Sequence, residues 1–282
     1  MTDTVTPLRR RGRPSSATAE GGTEVQSLDR AILLLQVLAG SDGLGLSEVA
    51  RQAELPPSTV HRLLATLLRR GLVSQDHGAG LWTVGVGLFR MGSAYLRIRK
   101  LPEIARPLIR ELLSDVDETV NVSMLDRNEI VCVAQAESHA AVRAFFRLGR
   151  RLPLHASAAG KAILASGSES FRREMLANAT LERFTAKTHG SRETLLADVA
   201  EVGPRGWACD DEEHTVGMRC VSAALLDEHL DPIGAVSISA PTVRMPAERM
   251  AVLGERVRST ALTLTELFSG HVAGSEPGAT RV

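Results

Sequence analysis

The densest chemistry in the chain lies between Asp210 and Cys220, where it reads DDEEHTVGMRC: four carboxylates, one imidazole and one thiol in eleven residues. Such a set can hold a metal, run thiol chemistry, line a polar binding site or form a solvated turn. A metal is disfavoured. Successive residues of an extended segment point to opposite faces, so only alternate members such as Asp210 and Glu212 converge, and zinc takes about three protein ligands with a supporting shell. No HExxH helix is present, Cys132, Cys209 and Cys220 form no CxxC pair, and His155, His189 and His214 are scattered along the chain. No metal and no cofactor are therefore expected. Thiol catalysis is disfavoured too: Cys220 stands six residues from His214, a spacing that is no evidence of contact, and there is no G-x-S-x-G elbow. The chain is not expected to be an enzyme.

The elements that must position this stretch form a mixed α+β pattern. TVNVSMLD, EIVCVAQAES and AVRAFFRL read as strands, with Asp126, Arg127 and Asn128 turning between the first two. SAAGKAILASG, SFRREMLANA and RETLLADVAEVGPRG read as helices, and WACDDEEH returns to extended backbone. RCVSAALLDEHLDPIGAVSISA gives two strands around a polar turn, and an amphipathic helix runs from about Pro246 to Phe268. The expected result is one domain over 101–270, an antiparallel sheet with helices outside it. A disordered tail follows at 271–282.

Upstream the composition changes. The formal net charge is zero, yet residues 1–100 carry thirteen Lys/Arg against eight Asp/Glu, and the remainder twenty against twenty-five. A basic front and an acidic body imply that one part meets a polyanion. Residues 1–24 read as a flexible basic tail. Its RRRGRP run (Arg9 to Pro14) offers Arg11 and Arg13 to a DNA minor groove, or is a solvated tail. Over 25–85, Ser27 is the expected cap of a helix with an apolar stripe at Leu28, Ile32, Leu35 and Leu38. Ser47 is the expected cap of a short second helix. STVHRLLATLLRRG forms a third, with Val60, Leu63, Leu64, Leu67 and Leu68 inward and Gly71 just past its end. Ser58, Thr59, His61, Arg62 and Arg69 lie mostly on the opposite side and are the candidate DNA contacts, Arg62 matching guanine best. LVSQ and LWTVG, around a Gly-containing loop, make a hairpin, completing a winged helix-turn-helix. Residues 86–100 read as a linker helix. No apolar run is long enough to span a bilayer and no secretory leader is evident, so a cytoplasmic location without membrane contact is expected.

Both halves resemble the IclR-type transcriptional regulators. The resemblance is carried by VQSLDRAILLLQVLA and LPPSTVHRLLATLLRRGLV in front, and by ETVNVSMLD, RRLPLHASAAGKAILA, DDEEHTVGMRCVSAALLDE and GAVSISAP behind, over about residues 25–270. It implies a winged helix-turn-helix, a linker helix and a GAF-like effector domain, assembled as a homodimer that pairs into a tetramer. DDEEH…G…RC, SISAP and the RRRGRP tail look closest to the branch that controls glyoxylate and acetate metabolism. That implies a repressor of operator DNA whose effector is a small 2-oxo acid, glyoxylate or pyruvate. By the same resemblance Asp210, Cys220, Ser237 and Ser239 are the polar groups of the effector site, and Met218 and Leu148 its walls. Glu212, Glu213 and His214 remain as turn or interface residues. Ala158 and Ala159, small residues at a helix start, leave backbone N–H groups open to an anion. The strand period independently puts Ser237 and Ser239 on one face. An activator of aromatic-compound catabolism with the same architecture is the alternative, and an enzyme fused to a DNA-binding module a second one.

Overall fold

The computed structural model describes residues 25–76, 78–98, 101–144 and 146–269. The basic tail with Arg11 and Arg13, and the segment 271–282, lie outside the described residues. Internal packing divides the chain into two units between Tyr95 and Leu96.

The first unit runs α1 (Gln26–Ala39), β1 (Leu44–Gly45), α2 (Leu46–Gln52), α3 (Pro57–Arg69), β2 (Val73–Asp76), β3 (Leu81–Val84) and α4 (Val86–Ile98), the last crossing the division. Its core is Leu34 and Leu38 of α1, Val49 of α2, Val60 and Leu64 of α3, and Trp82 of the wing. The α1 stripe differs from expectation: Leu28 and Ile32 are exposed, and the buried face is centred on Leu34 and Leu38. On α3, Val60, Leu64 and Leu67 are buried, Leu63 is half-buried and Leu68 is exposed. Two caps also differ. The carbonyl of Val25 receives the amides of Leu28 and Asp29 at 2.8 and 3.1 Å, so α1 starts at Gln26 with no side-chain cap and Ser27 inside it. Gly45 precedes α2, because β1 pairs with β3 (Leu44 opposite Trp82) and delivers extended backbone straight into the helix, leaving Ser47 in the first turn. The wing therefore has three strands, in the order β1-β3-β2. Gly71 adopts φ +67°, the left-handed position that ends α3 without steric cost.

The second unit runs α5 (Leu101–Val116), β4 (Thr119–Asp126), β5 (Glu129–Ala136), β6 (Arg151–Pro153), α6 (Ala158–Ser166), α7 (Glu169–Leu176), α8 (Arg192–Arg205), β7 (Ala208–Asp211), β8 (Met218–Leu226), β9 (Pro232–Pro241) and α9 (Ala247–Ser269). The six strands form one antiparallel sheet, ordered β6-β5-β4-β9-β8-β7. Period-two alternation decides its faces. Val120, Val122 and Met124 of β4, Val221 and Ala223 of β8, and Val236 and Ile238 of β9 pack with α5 and α9. Between them Asn121, Ser123, Cys220, Ser237 and Ser239 fall on the other face. There α6, α7 and α8 cover part of the sheet through Ile163, Leu164, Leu176 and Leu195. The expected strand at AVRAFFRL is not formed: the described residues of 141–148 are irregular. Pairing with β5 starts only after them, where the Gly149 amide reaches the Cys132 carbonyl at 2.7 Å and the Cys132 amide the Arg150 carbonyl at 3.1 Å.

Candidate functional site

The sheet face left open by α6 to α8 carries a cavity of about 130 Å³. Its floor is built by register. Asp210, Cys220 and Ser239 are cross-strand partners in one row over β7, β8 and β9, and Ser237 pairs with Asn121 of β4 in the next. Ser123 and Cys132, themselves cross-strand partners, extend the lining. Met218 and Leu152 contribute apolar wall. The irregular segment after β5 supplies Arg143, Ala144 and Phe146, and Arg150 follows, its guanidinium 5.3 Å over the Phe146 ring.

At one end stands the start of α6. Ser157 caps it, accepting the Gly160 amide at 3.2 Å while donating to the Pro153 carbonyl at 2.7 Å. Gly160 permits this close seating, since a Cβ there would meet the Leu154 carbonyl oxygen at 2.3 Å. The Lys161 amide bonds the Ser157 carbonyl at 3.0 Å. That leaves the amides of Ala158 and Ala159 with no acceptor among the described residues, at the electropositive end of a helix and beside the cavity.

Burial shifts the titrating groups. Asp210, 9% exposed, is pushed up to about 7, first by burial and then by the charge of Glu213, although its Oδ1 accepts the Glu213 amide at 2.7 Å. Its carboxyl thus serves near neutrality as donor or acceptor. Burial pushes the Cys220 thiol up to about 12 and that of Cys132 up to about 11, so both rest protonated. Ser239 donates to Cys220 Sγ at 3.2 Å. His214 is lowered by burial and by Arg150 nearby.

Seven of the eight residues expected at the effector site line this cavity: Ala158, Ala159, Asp210, Met218, Cys220, Ser237 and Ser239. Leu148 does not. It is 63% exposed, because its segment arches as a loop, and Phe146 and Leu152 stand where it was expected. Asn121, Ser123, Cys132, Arg143 and Arg150 also line the cavity without having been expected there, and His214, expected as a turn or interface residue, lines it too. For Asn121 and Ser123 a signal existed: they are alternate polar residues in the otherwise apolar TVNVSM.

The stretch DDEEH resolves into two roles. Asp211 and Glu212 face outward, both bonded to Lys187. Glu213 is buried, its Oε1 2.5 Å from Nζ of the wholly buried Lys161, which also lies 2.5 Å from Asp198 Oδ2. His189, Asp198 and Glu213 present ligand atoms within 4.8 Å of one another, a grouping that would suit a metal ion, but the Lys161 ammonium already supplies a cation to both carboxylates. The three histidines do not converge: His155 and His214 flank the Phe184 ring at 5.9 and 4.8 Å, and His189 belongs to the Lys161 network.

In the first unit, Ser58, His61, Arg62 and Arg69 are exposed on α3 and Thr59 is half-buried. None of the described helices is long and apolar enough to cross a membrane.

A winged helix-turn-helix with a polar, partly basic third helix, joined to an α+β unit holding a ligand-sized cavity, defines a DNA-binding regulator. Residues 27–77 match the family model for the IclR helix-turn-helix domain, and residues 93–266 that for the bacterial transcriptional regulator IclR C-terminal domain. The chain belongs to the IclR family, and it is a transcriptional regulator rather than an enzyme. It is 40% identical over 262 residues to the HTH-type transcriptional regulator BhcR of Paracoccus denitrificans, covering 92% of this chain and 94% of that protein. It is 39% identical over 267 residues to the acetate operon repressor of Salmonella typhimurium, covering 94% and 97%. The crystal structure of the Thermotoga maritima IclR has the same fold, with a TM-score of 0.72 at 24% identity over 87% of this chain and all of that one.

Proposed function

We propose that the chain is a cytoplasmic repressor whose operator affinity is set by a small 2-oxo acid, glyoxylate or pyruvate, held in the cavity of the second unit. The observation that carries this reading is the convergence on one cavity of two unpaired helix-start amides, at Ala158 and Ala159, with Asp210, Cys220, Ser237 and Ser239. The amides suit a carboxylate. The hydroxyls and the Asp210 carboxyl suit the adjacent carbonyl or its hydrate. The name of the Salmonella relative, a repressor of an acetate operon, favours two-carbon metabolism and repression. On DNA, α3 would enter the major groove with Arg62 at a guanine and Ser58, Thr59, His61 and Arg69 on neighbouring bases or phosphates. Arg11 and Arg13 would follow the minor groove. Two copies would read a pseudo-palindrome as a homodimer, pairing further into a tetramer, and the exposed Leu28 and Ile32 of α1 support a covering second copy. The effector acts only through a difference in its affinity for the DNA-competent and released arrangements.

Operator release against glyoxylate and pyruvate concentration tests this. Ala159→Val places a branched side chain over the amides and should abolish release while leaving DNA binding in place. Ser239→Ala should weaken the response by about 0.5–1.5 kcal/mol. Release curves identical to the parent for both variants would move the effector elsewhere. A parent insensitive to both acids would remove the assignment. A second reading, an activator of aromatic catabolism, draws on the size of the cavity. A space of about 10–15 Å³ already admits a water; 130 Å³ is several times that, and Phe146 lies in the wall. Release by hydroxybenzoates and not by glyoxylate would establish it.

A further inference from the structure

We propose that Cys220 captures an aldehyde effector covalently and reversibly, its thiol adding across the carbonyl to give a thiohemiacetal, so that the cavity selects an aldehydic acid over keto and hydroxy acids of like size. The inference rests on the small-acid reading of the cavity and adds the chemistry that would choose among such acids.

Three observations carry it. Cys220 is not a peripheral thiol: its side chain lines the cavity at the middle of a cross-strand row, with Asp210 on one side and Ser239 on the other. The Ser239 hydroxyl is aimed at the sulfur, donating to Sγ at 3.2 Å, where it stabilises negative charge that develops as the thiol proton leaves. The Ser123 hydroxyl, on a residue only 4% exposed, has no hydrogen-bond partner among the described residues and opens into the same cavity. A hydroxyl with no protein partner that faces the cavity is free to donate to a ligand oxygen placed opposite it. In a two-carbon acid held by its carboxylate at the Ala158 and Ala159 amides, the electrophilic carbon is the next atom.

The step balances without an oxidant or a leaving group. The sulfur–carbon bond forms, the carbon–oxygen π bond breaks, and the thiol proton ends on the former carbonyl oxygen. Asp210, the cross-strand neighbour, is placed to take that proton and return one to the oxygen, ending as it began. Burial pushes its carboxyl up to about 7, so both protonation states are available at neutrality. Burial also keeps Cys220 a thiol, which slows attack and protects against oxidation. The adduct carries no charge beyond the carboxylate of the acid, so the cavity can hold it without burying a thiolate. A ketone adds thiols less favourably than an aldehyde, and a hydroxy acid cannot add them.

The test uses the full-length protein with glyoxylate labelled with carbon-13 at the aldehyde carbon, and glycolate as the same-sized acid that cannot add. The parent should show a bound resonance for a carbon bearing one oxygen and one sulfur, upfield of the hydrate, and calorimetry should show glyoxylate preferred over glycolate by about tenfold or more. In Cys220→Ala that resonance should vanish and the preference should fall towards one. Cys220→Ser, closer in size, repeats the test if the alanine variant folds poorly. Bound glyoxylate in the parent that keeps its hydrate or free-carbonyl resonance would overturn the proposal while leaving the small-acid reading intact. Failure of the parent to bind glyoxylate at all would overturn this inference, and failure to bind pyruvate as well would overturn the small-acid reading with it.

Discussion

Replacing Lys161 with methionine should destabilise the second unit by about 3 kcal/mol. The side chain is wholly buried on α6, and its ammonium lies 2.5 Å from both Asp198 on α8 and Glu213 beyond β7. Burial alone would lower the lysine, but Glu213 and Asp198 together outweigh it and hold the ammonium above its ordinary value. Burial likewise opposes ionisation of Asp198, and Lys161 more than offsets it, so that carboxyl is held low. Methionine keeps the length and apolar stem and removes only the charge. Removing one partner of a buried pair costs about 3–5 kcal/mol, chiefly because the other is left charged and dry. The lower end applies here: the Asp198 side chain is 26% exposed and can rehydrate, whereas that of Glu213 is 7% exposed and its Oε2 already lacks a hydrogen-bond partner. The depressed Asp198 carboxyl contributes stability above about pH 4 that is lost as pH falls through its folded value; the raised Lys161 contributes below about pH 10 what is lost on rising through its own. The parent–variant gap should therefore be flat from about pH 5 to pH 9 and narrow in acid. Urea unfolding followed by circular dichroism measures it, as a lower midpoint at unchanged slope. A variant within about 1 kcal/mol of the parent at neutral pH, or a gap that widens on acidification, would refute the argument.

Arg62→Ala should cost about 1–3 kcal/mol in specific operator binding at fixed salt with the fold retained, since Arg62 is exposed and outside the Val60, Leu64 and Leu67 core; operator affinity equal to the parent's would displace α3 from its role. Asp210→Asn should stabilise the protein above neutrality. A carboxyl raised to about 7 binds its proton more tightly folded than unfolded, so the parent loses stability as pH climbs from about 4 to about 7, on the order of 2–4 kcal/mol, and the amide variant does not. Denaturation midpoints at pH 5 and pH 8 check this, and an Asn variant no more stable than the parent at pH 8 would count against the buried-acid assignment.

What the sequence made legible follows from which interactions are local. The alternation in TVNVSM and VSIS places polar residues on one sheet face because side-chain direction in a strand is a property of the backbone. The α3 pattern and Gly71 are legible for the same reason. The caps of α1 and α2 were misread because serines nearby offered a side-chain solution, whereas the backbone had its own, through the Val25 carbonyl and the β1–β3 pairing. The α1 stripe shifted because an exposed apolar surface carries the same periodicity as a core: Leu28 and Ile32 stay outside while Leu34 and Leu38 are buried. The roof of the cavity is the least local feature. AVRAFFRL has strand composition, yet β5 accepts its partner only from Gly149 onward, and nothing in an eight-residue window states where a register begins.

The DDEEH turn shows how one backbone angle reassigns two charges. Strict alternation pairs Asp210 with Glu212 on the inner face. The strand ends at Asp211, and Glu212 takes φ +62°, the left-handed region, so the alternation slips by one and Glu213 turns inward instead. Two consequences depend on that slip. The Glu213 amide comes to cap Asp210, fixing that carboxyl in the cavity wall, and the Glu213 carboxylate reaches Lys161 on the helix whose first amides face the same cavity. Asp211 and Glu212 are left outside for Lys187, with Arg219 also on Asp211. A non-glycine residue in this region is uncommon and costs conformational energy. Here its return is a rigid link between the turn that carries Asp210 and the helix that carries Ala158 and Ala159, so a ligand touching both is held by elements already locked to each other through a buried ion pair.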